Sequence, residues 1–384
     1  MRKSLLITLD FPPSRGGVAN YLWNVYSRLP RDFSVILAPP ITSPPYEGGV
    51  GGGGSVSDKT PPRPPFVRGG DINVYRRELL GSFWPKWLRA YFEALKIIRA
   101  EKIEAIHVSH ILPVGYIAWM IKKVFGLPYV VYLHGMDVLL AQKSWWKKMW
   151  AKKILRGAGL IVANSRFTAN EAIKAGAQKE KIEILYPCPN IEITRIGADN
   201  ADAPKNVILS VGRLVERKGF DKVIEAMPEI LREVSDAEYQ IIGDGPYVAE
   251  LKQLAEKLGV GGQVKFFHHI SDADLQEFYK NCKIFAMPAR RIGGDVEGFG
   301  IVYLEAALFG KPSVAGNTGG APEAVLNNQT GLTVNPESSG EIAGAIVKLL
   351  KDESLRQNLG RAAKERTERE FRWDEQVKKI INKF

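Results

Sequence analysis

Short apolar runs, each about the length of one β-strand, alternate along the chain with segments whose hydrophobic positions have helical spacing. In the first half the strand-like runs are SLLITLD, FSVILAP, AIHVSH, PYVVYLHG, LIVANS and KIEILYP. In the second half they are NVILSVGR, EYQIIGDG, VKFFHHI, KIFAMPA, KPSVAGN and GLTVN. Amphipathic segments such as DKVIEAMPEILREV lie between them and predict helices. Apolar strands that alternate with helices are typical of parallel sheets built from βαβ units.

The alternation occurs twice, which predicts an α/β protein with two Rossmann-like, doubly wound domains. A chain of 384 residues also suits two hydrophobic cores better than one. The polar segment 191–206 is interpreted as a linker between a first domain, 1–190, and a second domain, 207–372. Residues 373–384 are predicted to form a C-terminal helix that packs back on the first domain. Ligands of such sheets bind outside the carboxyl ends of the strands, so we expect a cleft between two facing sheets.

Residues 39–70, PPITSPPYEGGVGGGGSVSDKTPPRPPFVRGG, do not fit the alternation. The glycine run resembles a phosphate-binding loop only in composition, because no strand precedes it and no helix follows it. Its Pro and Gly content predicts a disordered surface insertion without chemistry of its own.

Basic residues are concentrated in the first half of the chain. Residues 1–190 hold 27 Lys and Arg against 13 Asp and Glu, a net charge of +14, whereas the whole chain carries +11. Such asymmetry indicates an anionic partner, which could be a membrane surface, a nucleic acid or an acidic substrate. The first residues, MRKSLLITLD, have too short an apolar run for an export signal, so we expect a cytoplasmic protein.

Two tryptophan-containing segments lie in this basic half. KSWWKKMWAKKILRG, residues 143–157, predicts a helix that combines Trp145, Trp146 and Trp150 with lysines, and we interpret it as a membrane-surface element. FWPKWLRAYFEALKIIRA has a similar stripe, for which core packing is the better interpretation. No DNA- or RNA-binding motif accompanies the charge, so we expect no nucleic acid partner.

Two cations follow the first strand of the second half. In VGRLVERKG, Arg213 and Lys218 lie between a strand and a helix, where a fork of donors and a point charge together suit a diphosphate. Glu216 and Arg217 of the same segment are interpreted as ordinary solvated loop charges. Near the N-terminus, Gly16 and Gly17 open a predicted helix whose free amides could approach an anion.

Two glutamates bracket the segment EGFGIVYLE. If the whole segment were helical, Glu297 and Glu305 would lie ~12 Å apart along the axis, too far for an acid and base acting on one bond. They could instead hold two ends of one elongated ligand. Glu297 precedes a helix predicted from about Gly300, and the amides there could meet sugar hydroxyls or a phosphate. Glu305 lies inside the helix and could accept both hydrogen bonds of a ribose diol.

Six motifs occur in an order that resembles the retaining nucleotide-sugar glycosyltransferases of family 4, which have the GT-B fold of two facing Rossmann-like domains. The motifs are PPSRGG, LHGMD, VGRLVERKG, IIGDGP, EGFGIVYLE and GGAPEAV. The wording GGDVEGFGIVYLEA is most similar to the mannosyltransferases that act on phosphatidylinositol or related lipid-linked acceptors. Residues 39–70 lie outside the resemblance.

The resemblance implies a role for each matched position. Arg213 and Lys218 would bind the donor diphosphate and act in catalysis, and Glu305 would bind the ribose. Glu297 would bind hydroxyls of the transferred sugar and also act in catalysis. His134 of LHGMD would lie beside that sugar as a further catalytic residue. The complete set of donor-binding residues that the resemblance implies is Gly16, Gly17, Arg213, Lys218, Gly243, Glu297, Phe299, Gly300, Ile301 and Glu305.

The resemblance also implies the partners of the reaction. The donor would be a nucleotide-sugar, with GDP-mannose favoured over a UDP-sugar. The acceptor would be a lipid-linked compound or a glycan, reached at the anionic inner face of the cell membrane by a peripheral enzyme. Neither a cofactor nor a metal is expected, since Asp244 and Asp295 do not form a DxD pair. One departure is His268, which stands where the family often has a glycine near the base.

Other activities remain open on sequence grounds alone. A nucleotide-sugar epimerase could use the same fold. A phosphorylase of this fold needs lysine-bound pyridoxal phosphate and is usually far longer. A non-catalytic protein that binds membranes or nucleic acid would explain the charge, but it would not explain Arg213, Lys218, Glu297 and Glu305 together.

Overall fold

The computed structural model describes residues 1–14, 16–40, 72–81, 84–191 and 206–383. Within these ranges the chain forms two compact units. The first contains the chain up to Ala163, Glu171–Leu185 and the chain from Trp373 onward, and the second contains Asn164–Asn170 and Tyr186–Arg372. The predicted linker lies almost entirely outside the described residues, as does the predicted insertion from residue 41 onward.

A parallel sheet forms the centre of the first unit. Its strands are β1 (Ser4–Ile7), β2 (Ser34–Ala38), β3 (Asn73–Arg76), β4 (Ala105–Val108), β5 (Tyr129–Leu133), β6 (Leu160–Ala163) and β7 (Ile182–Ile184). They lie in the order β3-β2-β1-β4-β5-β6-β7, so the direction of winding reverses between β1 and β4. Residues of β1, β2, β4, β5 and β6 are buried, because helices cover both faces of the sheet.

The helices of the first unit connect these strands, except for the last one, which lies at the C-terminal end of the chain. They are α1 (Gly17–Tyr26), α2 (Leu88–Glu101), α3 (Val114–Phe125), α4 (Met136–Ala141), α5 (Trp145–Gly157) and α14 (Trp373–Ile381). The helix α6 (Arg166–Lys174) begins in the second unit and ends in the first.

The second unit repeats the architecture with a parallel sheet of β8 (Asn206–Val211), β9 (Ala237–Ile242), β10 (Val264–Phe267), β11 (Ile284–Met287), β12 (Ser313–Gly316) and β13 (Gly331–Val334). Its order is β10-β9-β8-β11-β12-β13, with the reversal between β8 and β11. The helices are α7 (Phe220–Glu233), α8 (Val248–Lys257), α9 (Asp272–Asn281), α10 (Ile301–Leu308), α11 (Ala321–Ala324), α12 (Ser339–Lys351) and α13 (Glu353–Glu370). Both units therefore have the predicted Rossmann-like winding.

All twelve strand-like runs coincide with strands, but the sequence analysis missed β3. This edge strand is exposed or half-buried along its whole length, and it follows the Pro/Gly-rich segment directly. It pairs in parallel with β2, with Val35 opposite Asn73. A half-buried edge strand needs no continuous apolar run, so the hydrophobic pattern gives it little signal.

The C-terminal helix α14 belongs to the first unit. Trp373 packs edge-on against Tyr21 with ring centroids 5.6 Å apart, and Asp374 accepts a hydrogen bond from Arg28 at 3.2 Å. Tyr21 belongs to α1, and Arg28 lies two residues past the end of that helix. The apolar face of α14 is buried through Trp373, Val377 and Ile380, which explains why the chain returns to this unit.

Candidate active site

The candidate residues of the second unit lie where its sheet reverses direction. Lys218 is in the loop after β8, and Glu297 is in the loop after β11, which is the neighbouring strand. Loops that follow two adjacent strands with oppositely wound connections leave a crevice at the carboxyl edge of the sheet, where ligands of α/β proteins bind. The topology thus brings together residues that are 79 positions apart in the sequence.

Lys218 is a buried lysine whose charge is compensated by Glu297. Its ammonium Nζ lies 2.6 Å from Glu297 Oε2, and only 11% of its side chain is exposed. Lys218 ends the short 3-10 helix Glu216–Lys218, which sets its side chain at the start of α7. Arg213 lies two residues after the end of β8 and is exposed. The two predicted diphosphate-binding cations are thus on the same loop, one buried and one at the surface.

Glu297 is held as a carboxylate by two cations. Arg217 Nη1 approaches the same oxygen, Oε2, at 2.8 Å, and the Glu297 side chain is 13% exposed. Burial alone would raise the pKa of Glu297, but the charges and hydrogen bonds of Lys218 and Arg217 lower it to about 2. Glu297 is therefore ionised at neutral pH, which suits a hydrogen-bond acceptor.

The interpretation of Arg217 as an ordinary solvated loop charge is wrong. Its side chain is 21% exposed, and its Nε lies 3.0 Å from Asp295 Oδ1 in addition to the contact with Glu297. Burial disfavours the charged guanidinium, but Glu297 and Asp295 raise the pKa of Arg217 above its usual value. Sequence reasoning missed this residue because its partners lie in a loop after another strand.

Arg290 is a second buried arginine in this region. It donates to both oxygens of Asp221, at 3.0 and 2.7 Å, and it is 3% exposed. Asp221 lies in the first turn of α7, while Arg290 begins the loop that carries Glu297. This bidentate pair connects the start of α7 with the loop after β11.

The loop from Glu297 to α10 depends on close backbone packing. The helix starts at Ile301, in agreement with the prediction, after Gly300 with a φ of 90°. Gly320 donates its amide to Glu297 O at 2.9 Å, and a Cβ at position 320 would lie 2.0 Å from Gly298 O. The GGAPEAV segment therefore packs directly against the backbone of the EGFG loop. The amide of Tyr303 already donates to Gly300 O at 3.1 Å, so the amides of Ile301 and Val302, which precede the first helical hydrogen bond, are the ones that could meet a ligand.

Phe299 contributes to this loop in two ways. Its ring is buried against Tyr186 and Phe371, at centroid distances of 5.3 and 5.6 Å. The side chain therefore anchors the loop, and only the backbone of Phe299 can face a ligand.

Glu305 lies one turn inside α10, as the sequence analysis expected. Tyr279 donates its hydroxyl to Glu305 Oε2 at 2.8 Å. Burial raises the pKa of Glu305, and the Tyr279 hydrogen bond partly opposes this effect. The pKa values of the two glutamates are thus shifted in opposite directions. Glu297 has cations beside it, which lower its pKa, whereas Glu305 is buried beside a tyrosine and its pKa is raised.

Gly243 follows the carboxyl end of β9, so it also belongs to this edge of the sheet. Its carbonyl accepts a hydrogen bond from His268 Nδ1 at 2.8 Å, and Asp244 Oδ1 lies 2.8 Å from the same nitrogen. His268, which departs from the family pattern, is thus hydrogen-bonded to the loop after β9 that contains Gly243.

In the first unit, Gly16 and Gly17 lie at the start of α1, as predicted. Gly16 is the N-cap residue, and a Cβ at either position would meet no atom within 4 Å in the part of the chain that the structure describes. Neither glycine therefore has a described side chain or backbone atom that would block an anion from the amide end of this helix.

His134 follows β5 and lies beside a second histidine. The rings of His110 and His134 have centroids 5.6 Å apart, and Tyr21 meets His134 edge-on at 5.4 Å. Burial and the neighbouring His110 lower the pKa of His134 to about 3, so its ring is neutral at pH 7. Asp137 fixes the backbone of His134 by accepting from its amide at 2.9 Å. Sequence reasoning did not single out His110, although it ends the run AIHVSH.

The tryptophan helix α5 divides into a core side and a surface side. Ile154 is fully buried, and Trp150 packs edge-on against Tyr116 and Trp119 of α3. The exposed fractions of Trp145 and Trp146 are 79% and 44%. The exposed cations of this helix are Lys148, Lys152, Lys153 and Arg156.

For the second tryptophan segment, the prediction of core packing is only partly correct. Trp87 is partly buried and stacks on Tyr116, whereas Trp84 is 90% exposed and Phe92 is 53% exposed.

Among the described residues, no helix is both long and apolar enough to cross a membrane. Within the same ranges, no cluster of three His, Cys, Asp or Glu side chains could hold a metal ion.

Comparison with known proteins gives two family matches that follow one another along the chain. Residues 15–192 match the family described as Glycosyltransferase Family 4, and residues 194–366 match Glycosyl transferases group 1. A GDP-mannose-dependent alpha-(1-6)-phosphatidylinositol monomannoside mannosyltransferase of Mycolicibacterium smegmatis is 30% identical, over 91% of this chain and 89% of its own length. The Mycobacterium tuberculosis enzyme of the same name is 29% identical over 100% and 98%.

Solved structures show the same fold. The Anabaena protein HepE in complex with UDP and glucose has a TM-score of 0.76 at 21% identity and covers 100% of this chain and 99% of its own. WaaG, a glycosyltransferase involved in lipopolysaccharide biosynthesis, has a TM-score of 0.66 at 17% identity over 98% and 99%. Together with the two sheets and the family matches, these likenesses show that the chain belongs to the family 4 glycosyltransferases, has their GT-B fold and is a glycosyltransferase enzyme.

Proposed function

We propose that the protein transfers a hexose, with mannose favoured, from GDP-mannose to a lipid-linked or glycan acceptor at the inner membrane surface, with retention of the anomeric configuration. The observation that carries this proposal is the placement of Lys218 and Glu297 at the reversal point of the second sheet. The choice of GDP-mannose rests on the names of the relatives from two mycobacterial species.

The donor diphosphate would be bound by cations and amides rather than by a metal ion. Lys218 and Arg213 lie on one loop and supply two positive charges, and the first amides of α10 supply hydrogen-bond donors. Gly16 and Gly17 offer a further open amide end in the first unit. Such fixed donors can stabilise the negative charge that develops on a departing diphosphate.

The two glutamates would hold different parts of the donor. Glu297 is ionised and lies beside the first amides of α10, so it suits a hydroxyl group of the transferred sugar. Glu305 lies a turn deeper and would accept hydrogen bonds from the ribose. Gly243, at the end of the neighbouring strand β9, would line the same donor site.

Retention follows if the acceptor hydroxyl attacks from the face that the diphosphate leaves. The bond between the anomeric carbon and the diphosphate oxygen breaks, the acceptor oxygen bonds to that carbon, and the acceptor proton passes to the departing diphosphate. This route needs no protein base. The low pKa of His134, about 3, makes its ring a weak base, which favours a role as a neutral partner of the sugar hydroxyls.

A membrane-bound acceptor is supported by the surface of the first unit. Both α2 and α5 end a few residues before the next strand, so their beginnings point towards the carboxyl edge of the sheet. The exposed Trp84 precedes α2, and the exposed Trp145 and Trp146 begin α5. Indole rings next to exposed lysines are typical of surfaces that rest in the headgroup region of a bilayer.

A transfer assay tests the proposal directly. The protein is incubated with GDP-mannose, or with UDP-glucose, and with vesicles that contain phosphatidylinositol, in buffer with and without EDTA. We expect mannose to enter the lipid fraction in both buffers, and proton NMR of the product to show the anomeric configuration of the donor. An inverted product, or activity that EDTA abolishes and divalent ions restore, would refute the mechanism. Transfer from UDP-glucose alone would refute the choice of donor.

A further inference from the structure

Arg217 lies between two acidic side chains, those of Glu297 and Asp295. Its Nη1 contacts Glu297 Oε2 at 2.8 Å and its Nε contacts Asp295 Oδ1 at 3.0 Å. The planar fork of donors of a guanidinium group can hold two carboxylates at fixed angles. Its backbone is fixed as well, because Arg217 O accepts a hydrogen bond from the amide of Arg290 at 2.8 Å.

Asp295 is itself fixed at the end of a tight turn. Ile292 and Asp295 exchange two backbone hydrogen bonds, of 3.0 and 2.9 Å, across Gly293 and Gly294. The turn leads directly into Val296 and Glu297, so a cation that binds both Asp295 and Glu297 fixes the whole approach to the EGFG loop.

Lys218 and Arg217 meet the same oxygen of Glu297, at 2.6 and 2.8 Å. A diphosphate that binds Lys218 would compete with Glu297 for the ammonium group. If Lys218 were the only partner of Glu297, its engagement with the diphosphate would leave a largely buried carboxylate without a counter-ion. Such a carboxylate loses its hydration on burial, and no nearby cation would then offset that loss.

We infer that Arg217 is the permanent counter-ion of Glu297, and that it thereby allows Lys218 to bind the donor diphosphate. Arg217 is a positioning residue in this scheme, because it acts through Glu297 and Lys218 and not on the reacting atoms. The inference rests on the proposed function, in which Lys218 contacts the diphosphate and Glu297 contacts the sugar. It explains why the loop carries two adjacent cations, Arg217 and Lys218, beside one carboxylate.

A double-mutant cycle tests the inference through the binding of GDP, measured by calorimetry at constant salt. The four proteins are the wild type, Arg217→Gln, Glu297→Gln, and the variant with both changes. We expect Arg217→Gln to weaken GDP binding about tenfold or more, because Lys218 is then retained by Glu297. In the Glu297→Gln background the same change should alter the affinity by less than about twofold.

Two further variants keep the result interpretable. Arg291→Gln removes an exposed arginine of the same loop, whose guanidinium lies 6.0 Å from the ring of Phe167, and should leave GDP binding unchanged. Arg217→Lys keeps the positive charge and should restore most of the GDP affinity that Arg217→Gln loses. If the glutamine variant does not fold, the lysine variant can be measured in its place.

The outcomes separate the inference from the proposed function. Equal weakening by Arg217→Gln in both backgrounds, or no weakening in either, would overturn the role of Arg217 while leaving the donor site in place. A wild-type protein that binds neither GDP nor UDP would overturn the donor assignment and the inference with it.

Discussion

The ammonium of Lys218 lies 2.6 Å from the carboxylate of Glu297, although the two residues follow different strands of the second sheet. Both side chains are mostly buried, so the pair lies in a setting where water screens charges weakly. The pair combines a residue assigned to the diphosphate with one assigned to the sugar. Any ligand that binds one of them must change the surroundings of the other.

Loss of either predicted diphosphate cation should weaken donor binding. We expect Lys218→Ala and Arg213→Ala each to reduce the affinity for GDP by about tenfold or more, the scale of a charged hydrogen bond. The effect should appear in calorimetry with free GDP, because neither change concerns the sugar. Lys222→Ala is a suitable control, since Lys222 lies in α7 and pairs with Glu225 at 2.8 Å. Unchanged affinity in both variants would remove these residues from the donor site.

The two glutamates should separate nucleotide binding from sugar transfer. Glu305→Gln should weaken the binding of free GDP, because it changes the group assigned to the ribose. Glu297→Gln should leave GDP affinity unchanged or increase it, since Lys218 loses a competing partner, and it should lower kcat by about 100-fold as an electrostatic contact in the transition state is lost. Calorimetry and steady-state assays check both variants. Equal losses of GDP affinity would contradict the division of roles.

Close packing beneath the EGFG loop should matter for activity. A methyl group at position 320 would lie 2.0 Å from Gly298 O, so Gly320→Ala should displace the loop and lower kcat/KM by about tenfold or more. Gly344→Ala is the matched control, because Gly344 lies in α12 and a Cβ there would meet no atom of the described residues within 4 Å. That control should keep full activity and gain about 0.5–1 kcal/mol of folding stability. Similar kinetics for both variants would argue against a role for this contact.

Membrane attachment should depend on the charges of α5. We expect the triple exchange to Gln of Lys148, Lys152 and Lys153 to release the protein from vesicles of anionic lipid in a cosedimentation assay. A matched exchange in the second unit, at Lys252, Lys257 and Lys265, removes the same charge from exposed positions and should have little effect. Salt should weaken binding of the wild type, because exposed charges are screened within about 8 Å at physiological ionic strength. Vesicle binding absent even at low salt would refute the charge-driven attachment.

The sequence by itself determined the repeated alternation of strands and helices, because strands buried on both faces need continuous apolar runs and amphipathic helices need a periodic apolar face. It also marked Gly16, Gly17, Lys218, Glu297 and Glu305 through local context at predicted strand and helix ends. It did not reveal β3, whose half-buried edge position requires no apolar run.

Only the tertiary structure decided which of these residues meet. Arg217 looks like a solvated loop charge in the sequence, yet it binds Asp295 and Glu297 from a loop 78 and 80 positions away. The same holds for His110 beside His134, and for the division of each tryptophan segment into buried and exposed rings. Contacts between loops after different strands depend on strand order in the sheet, and hydrophobic periodicity within one segment carries no information about that order.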